Sequence, residues 1–295
     1  LSETTDTVTP EQPFDRALLG PPLAGPTALG TDPVRFWHLS RALAVTDFKL
    51  KFFGSVLGYA WQLMRPLLLF GVLYVVFTEV VDLGNGVPFY GVMLLMGIVL
   101  FGFFSEATGG AVTCLSDRES LVRRLDFPRL AIPTSVLLTA LMNLGLNLVV
   151  VIIFLMISGG EVRWTWIELP FLVVLLALFC SGIGMLVSVG YVRYRDVKPI
   201  WEVILQILFY ATPIFYTITV VEAQNASLAK ILMYNPFAAV LQQMRHAVID
   251  PSQPTAAAAI GGTVYLLIPA GIMLFVLLVG YRTFKKQAPQ VAEIL

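Results

Sequence analysis

One carboxylate stands well inside a long apolar stretch of this chain: Glu106, in Phe103-Phe104-Ser105-Glu106-Ala107-Thr108. An acidic group at the centre of a bilayer costs about 2.5–3.5 kcal/mol on insertion scales, so it must face protein or water. It could carry a proton through a transport cycle or act as a buried structural hydrogen-bonding group, and the sequence gives it no charged partner inside a span. His38 and His246 fall on opposite sides of the apolar segments, so they share neither a metal nor a proton relay. Cys114 and Cys180 lack metal-ligand neighbours and read as small buried hydrophobes. No Gly-x-x-x-x-Gly-Lys-Ser/Thr phosphate loop, His-Glu-x-x-His or Gly-x-Ser-x-Gly is present. Nor is there a pair of aspartates, a Ser/His pair or a zinc-ligand set at bilayer depth. No catalytic residue, metal site or cofactor is expected in this chain.

Aromatic residues form the other notable group. Tyr59, Phe70, Tyr74 and Phe77 share a helical face, and Phe209, Tyr210, Phe215 and Tyr216 cluster further along. Two readings stand side by side: ordinary helix packing, or a conduit for a sugar chain. Each hydroxyl buried without a partner costs roughly 2–7 kcal/mol, so a polyol does not cross lipid unaided. Rings can stack on the apolar faces of sugars without gripping any one unit.

The elements that must position these residues are membrane spans. A hydrocarbon core of about 30 Å needs about 20 apolar residues per helix. Six such stretches occur, at 58–81, 89–112, 131–157, 167–192, 199–217 and 256–281. The chain is 57% hydrophobic and 13% charged, where a soluble domain has roughly 25% charged residues. The expected fold is therefore all-α: one polytopic domain of six transmembrane helices. Of nineteen Lys and Arg, sixteen fall on one side of this pattern, leaving Arg163, Lys230 and Arg245 on the other. That bias predicts both termini in the cytoplasm. Trp61, Trp201, Tyr191, Tyr194 and Tyr281 at the inner ends, with Phe89, Tyr90, Trp164, Trp166 and Tyr216 at the outer ends, fit aromatic belts.

Residues 1–33, rich in proline and acidic groups, predict a disordered cytoplasmic tail. The opening Leu-Ser-Glu-Thr-Thr-Asp has no basic stretch ahead of an apolar core, so no cleaved signal is expected there. Residues 34–57 mix large apolar side chains with Arg35, Arg41, Lys49 and Lys51, which predicts a basic amphipathic helix in the headgroup region. Between spans two and three, Ser116 and Glu119 have capping-box spacing and Pro128 stops the segment. A short charged helix is expected at 117–127, ending in an exposed Phe127. Outside, Asn235-Pro236 reads as an N-cap and first helical residue. Phe237, Val240, Leu241, Met244 and Val248 then keep helical spacing, with Gln242, Gln243, Arg245 and His246 opposite. With the break at Thr212-Pro213, this predicts a re-entrant helical hairpin over 213–250. Residues 282–295 are expected as a cytoplasmic tail.

From about residue 34 onward the chain resembles the membrane subunits of ABC exporters for cell-surface polysaccharides, the O-antigen and teichoic-acid permeases. The resemblance is carried by Lys51-Phe52-Phe53-Gly54-Ser55-Val56-Leu57-Gly58-Tyr59-Ala60-Trp61 with Arg65-Pro66-Leu67, and by Leu125-Asp126-Phe127-Pro128-Arg129 with Pro133. Tyr194-Arg195-Asp196-Val197, Thr212-Pro213-Ile214-Phe215-Tyr216, Asn235-Pro236-Phe237 and Arg245 continue it. Phe52-Phe53 departs from the Arg-Tyr that many members carry.

The resemblance implies a homodimer in a bacterial cytoplasmic membrane, joined by two copies of a separate ATPase that binds ATP and Mg. It implies transport of a polyprenyl-diphosphate-linked glycan of galactan, O-antigen or teichoic-acid type, with no nucleic-acid partner. It makes 117–127 a coupling helix, with Arg118, Glu119, Arg123, Arg124, Phe127 and Arg129 meeting the ATPase; a plain solvated loop is the other reading. It sets Arg41, Lys49, Lys51 and Arg65 near the lipid diphosphate, where an arginine fork suits phosphate. The external hairpin becomes a gate. Export of a drug or lipid, and proton-driven transport through Glu106, are the alternatives.

Overall fold

The computed structural model describes residues 32–52, 56–81, 86–124 and 128–294, with side chains described for 32–51, 60–81, 86–121 and 128–288. Among them every regular element is helical. The expectations for residues 1–31, for Phe127 and for the side chains of Tyr59, Arg123 and Arg124 lie outside the described residues.

Helix α1 (Pro33–Phe52) leads to α2 (Val56–Val75), which ends in a π-helical turn at Val76–Val80. Next come α3 (Tyr90–Asp117), the short α4 (Glu119–Arg124), α5 (Ala131–Ile157) and α6 (Glu168–Arg193). A 15-residue α7 (Val197–Ala211) precedes three short helices, α8 (Ile218–Gln224), α9 (Ala226–Met233) and α10 (Pro236–Met244). A π-helical turn at Arg245–Ile249, the five-residue α11 (Ala256–Ile260) and α12 (Leu267–Ile294) complete the chain.

Five helical segments among the described residues are long and apolar enough to cross a membrane: Ala60–Val80, Tyr90–Asp117, Ala131–Ile157, Trp164–Arg193 and Thr263–Ala288. The protein is a multi-pass membrane protein. The segment expected as span five, 199–217, is not one long helix. Its helix is α7, about 22 Å long at 1.5 Å per residue, which gives way at Thr212-Pro213 to an extended stretch. Proline cannot continue the hydrogen-bond ladder and pushes its predecessor out of the helical region.

The last span also differs from 256–281. Gly261 and Gly262, at φ of 99° and 144°, take left-handed backbone and separate α11 from the final long helix. That helix continues through the expected tail to Ile294. Phe284, fully buried in a cluster with Leu115, Leu130 and Met185, holds this extension against the ends of α3, α5 and α6.

α3 is apolar all round and is buried along most of its length, as a central helix must be. Its neighbours are α5, α6 and α2, while α12 packs tightly on α6. α1 lies against α5 through Ser40 and Ala44, both fully buried, and Thr139 Oγ1 donates to the Ala44 carbonyl at 3.3 Å. Protein thus covers part of the face that the sequence assigns to the headgroup region.

The Asn235 cap forms. Its Oδ1 accepts from Phe237 N at 3.0 Å, with Pro236 at the first helical position, and its Nδ2 donates to Thr212 Oγ1 at 3.2 Å. Asn235→Ala should lower stability by about 1 kcal/mol, the usual worth of an N-cap, read as a fall in the melting temperature of the purified protein. Asn235→Asp keeps the cap acceptor and should recover most of that loss. An alanine variant that melts with wild type would show that the cap contributes nothing here.

Candidate functional site

Two cavities lie in file along the seam of α2, α3 and α5. The one beside α1, termed inner after the side that the charge bias predicts to be cytoplasmic, is about 460 Å³ and is bounded by Lys51 from α1, Gln62 and Arg65 from α2, Glu106 from α3, and Asn143 and Asn147 from α5. The outer one, about 620 Å³, is bounded by Tyr74, Glu79, Phe89, Tyr90 and Phe154. Polar groups inside an apolar bundle are costly unless partnered, so the inner set requires an explanation.

Glu106 supplies part of it. Its Oε1 accepts from Lys51 Nζ at 2.6 Å and from Asn143 Nδ2 at 2.6 Å. The carboxylate that looked alone therefore has a cation, delivered by α1 from outside any span. Lys51, grouped in the sequence with the diphosphate contacts, is engaged with this carboxylate. The sequence signal for Asn143 and Asn147 is a pair of amides four residues apart on one face of a strongly apolar span. Asn147 Nδ2 donates to the Asn143 carbonyl at 2.8 Å. Arg65 is exposed at the cavity edge. Arg41 and Lys49 are exposed on α1, away from the cavity lining.

The aromatic residues of α2 and α7 come together. Phe77 stacks on Phe215 at 5.3 Å and 8°, and Phe215 meets Phe209 at 4.9 Å and Tyr210 at 6.0 Å. Phe70 touches Tyr74 and Phe154, each at 5.5 Å. These are not all free surfaces: Phe215 is buried, Tyr216 is half-buried, and Tyr210 is exposed. Phe101, Phe104, Phe179 and Phe237 extend the series into the core. Phe237 reaches Phe101 and Phe104 at mid-length of α3, so α10 enters the bundle.

The extended stretch after α7 is held by side chains. Arg245 Nη2 donates to the Ile214 carbonyl at 2.9 Å, Tyr90 Oη to Phe215 O at 2.6 Å, and Arg245 Nη1 to Tyr216 O at 3.3 Å. Three consecutive carbonyls that lost helical partners are thereby satisfied. Helical spacing predicts Arg245 and Gln242 on the polar face of the hairpin, but both are 1% exposed. The reason is tertiary. Arg245 faces the bare carbonyls, and Gln242 Nε2 donates to Pro254 O at 2.8 Å.

The charged loop at 117–127 also differs in detail. α3 runs through Asp117, Arg118 forms the turn, and α4 begins at Glu119, so the Ser116 capping box does not form. Ser116 Oγ instead accepts from Arg195 Nη1 at 2.7 Å. Arg118 is tied to Asp47 of α1 by an ion pair and to Ser135 Oγ at 2.9 Å, which braces the loop against two helices. Arg129, grouped with the docking residues, is buried at 5% exposure beside Leu130 at the foot of α5.

The sequence of residues 38–249 matches the family model described as ABC-2 type transporter. The chain belongs to this family, whose member proteins are membrane components of ABC transporters, in agreement with the resemblance read from its motifs. It is similar to the O-antigen export system permease protein RfbA of Myxococcus xanthus, 27% identical over 68% of this chain and 76% of that protein. The protein of the same name from Klebsiella pneumoniae is 25% identical over 84% of this chain and 92% of its own length. The polysialic acid transport protein KpsM of Escherichia coli is 23% identical over 82% of this chain and 92% of that protein.

Proposed function

We propose that this chain is the transmembrane subunit of an ATP-driven exporter that moves a polyprenyl-diphosphate-linked polysaccharide across the bacterial cytoplasmic membrane. Galactan, O-antigen and teichoic-acid types all suit it. The observation that carries the reading is similarity over most of both chains to an O-antigen export system permease protein and to a polysialic acid transport protein. The geometry is consistent with it. The two cavities follow one seam from a charged inner mouth to an aromatic outer end, an order that suits an anionic headgroup followed by a sugar chain.

The dimer and the six crossings belong to the same proposal. α2 has no buried residue in its apolar stretch, and Leu205 alone is buried on α7. Leu68, Val72 and Val75 on α2, with Ile200, Val203 and Ile207 on α7, are large apolar side chains left exposed, while Leu69 of α2 and Phe209 of α7 line the inner cavity. A second copy seated on this side would cover them and close the seam into a shared passage. α7 with the stretch after Thr212 would make the remaining crossing, α10 would dip into the outer leaflet as a gate, and both termini would lie inside. The α4 loop of each copy, braced by Arg118, would dock on one of two copies of a separate ATPase that holds ATP and Mg.

Purified alone, the chain should hydrolyse no ATP, and turnover should appear on reconstitution with its ATPase and rise with lipid-linked glycan. Depleting the chain in cells should leave lipid-linked glycan on the cytoplasmic face. ATP turnover by the single purified chain, or an unchanged distribution of the lipid-linked glycan, would end this reading.

A further inference from the structure

Asn143 is 1% exposed, and its Nδ2 is committed to Glu106, yet its Oδ1 has no hydrogen-bond partner among the described residues. Buried acceptors are rarely left bare, because the group has lost its water without replacement. This amide borders the inner cavity, whose volume lies within the range of small-molecule sites. The oxygen is closed to water, so a donor entering the cavity reaches this unpartnered acceptor by shifting the amide.

The chemistry of that donor is set by the other walls. Glu106 and Asn143 offer acceptors at the back, Lys51 and Arg65 offer cations at the mouth, and Phe209 offers an aromatic surface. A lipid tail would leave the polar groups bare, and a simple metal cation would meet Lys51 and Arg65. A hydroxyl donates and accepts at once, so adjacent hydroxyls of one sugar can donate to Asn143 Oδ1 and to the Glu106 carboxylate. A phosphate on the same sugar would then lie at the basic mouth.

We propose that the inner cavity recognises the first sugar of the lipid-linked substrate together with the phosphate that carries it, with Asn143 and Glu106 as its hydroxyl-selecting residues. This rests on the export reading above. Lys51 makes the recognition conditional on both parts of the ligand. Lys51 pairs with Glu106 at 2.6 Å while both side chains stay partly exposed, so the ammonium is open to a second anion. An anion without a sugar would draw Lys51 away and leave the carboxylate without its cation. A glycosyl phosphate offers an anion to Lys51 and hydroxyls to Glu106 and Asn143 together.

The test uses the chain with its ATPase partner in lipid nanodiscs. The probes are polyprenyl diphosphate and the same lipid bearing one hexose, with galactose, glucose and N-acetylglucosamine tried in turn. Wild type should bind at least one sugar-bearing lipid about tenfold more tightly than the bare diphosphate. Asn143→Leu should bring that affinity down to the bare-lipid value. Glu106→Gln keeps the side chain's shape, so it serves if the leucine variant fails to fold. It should also abolish the sugar preference, and it should strengthen bare-diphosphate binding because Lys51 is released. Equal wild-type binding of all probes, or a preference that survives in either folded variant, would overturn the sugar site while leaving the export reading intact. Failure of wild type to bind any of the lipid diphosphates would remove both.

Discussion

Gly280→Val should be among the most damaging single substitutions in the membrane domain. α6 and α12 cross so closely that a Cβ at Gly280 would lie 2.3 Å from the Gly182 carbonyl oxygen. A Cβ at Gly182 would in turn lie 2.8 Å from the backbone of Leu277. Close approach through small residues is how helices pack when lipid removes the hydrophobic drive between them. The obstacle here is backbone, which cannot swing aside as a side chain can. Overpacking costs typically 1–3 kcal/mol, and this contact should fall near the upper end, at about 3 kcal/mol. The expected result is a large fall in the melting temperature of the purified protein and a smaller folded yield from membranes. Gly271→Ala provides the control on the same helix, since a Cβ there meets nothing within 4 Å. A Gly280→Val protein that melts with wild type would mean that α6 and α12 do not cross as described.

Arg245→Ala should be comparably severe for a different reason. The guanidinium is 1% exposed and reaches two carbonyls of the stretch after Pro213. Removing it strips Ile214 and Tyr216 of partners and leaves a void. A buried polar group without a partner costs about 1–3 kcal/mol, so the loss should be about 3 kcal/mol, seen as a lower melting temperature. Arg245→Lys should recover only part of it, because one ammonium does not reproduce the spread of a fork. Tyr90→Phe, which releases the Phe215 carbonyl alone, should do less harm. If alanine and lysine variants both melt with wild type, the stretch is held by something other than this side chain.

Much of the architecture was legible in the residues because transfer to lipid is a local property. A run of about 20 apolar residues must form a helix in a bilayer whatever surrounds it. The stretches at 89–112, 131–157 and 167–192 accordingly correspond to α3, α5 and α6 within a few residues. The break at Thr212-Pro213 and the start at Asn235-Pro236 were equally plain, since proline and an amide cap act over four or five residues. Local signals failed where a distant contact outweighed them. Ser116 and Glu119 have capping-box spacing, but α3 runs past Ser116, whose hydroxyl takes Arg195 instead.

The candidate site divides along the same line. By itself the sequence determined that Glu106 lies within an apolar segment, that Lys51 precedes the first such segment and Arg65 falls in its first turns, and that aromatic residues crowd the first and fifth. It also determined membership of the transporter family, through motifs spread over 38–249. Only the tertiary structure decided that residues 51, 106 and 143 meet at one carboxylate oxygen, and that Arg245 turns inward. It alone revealed the close crossing of Gly182 and Gly280. Hydrophobic periodicity says which helix face is apolar but not which neighbour it meets. Partners of buried polar groups are set by how helices far apart in sequence cross, and each such group must find one.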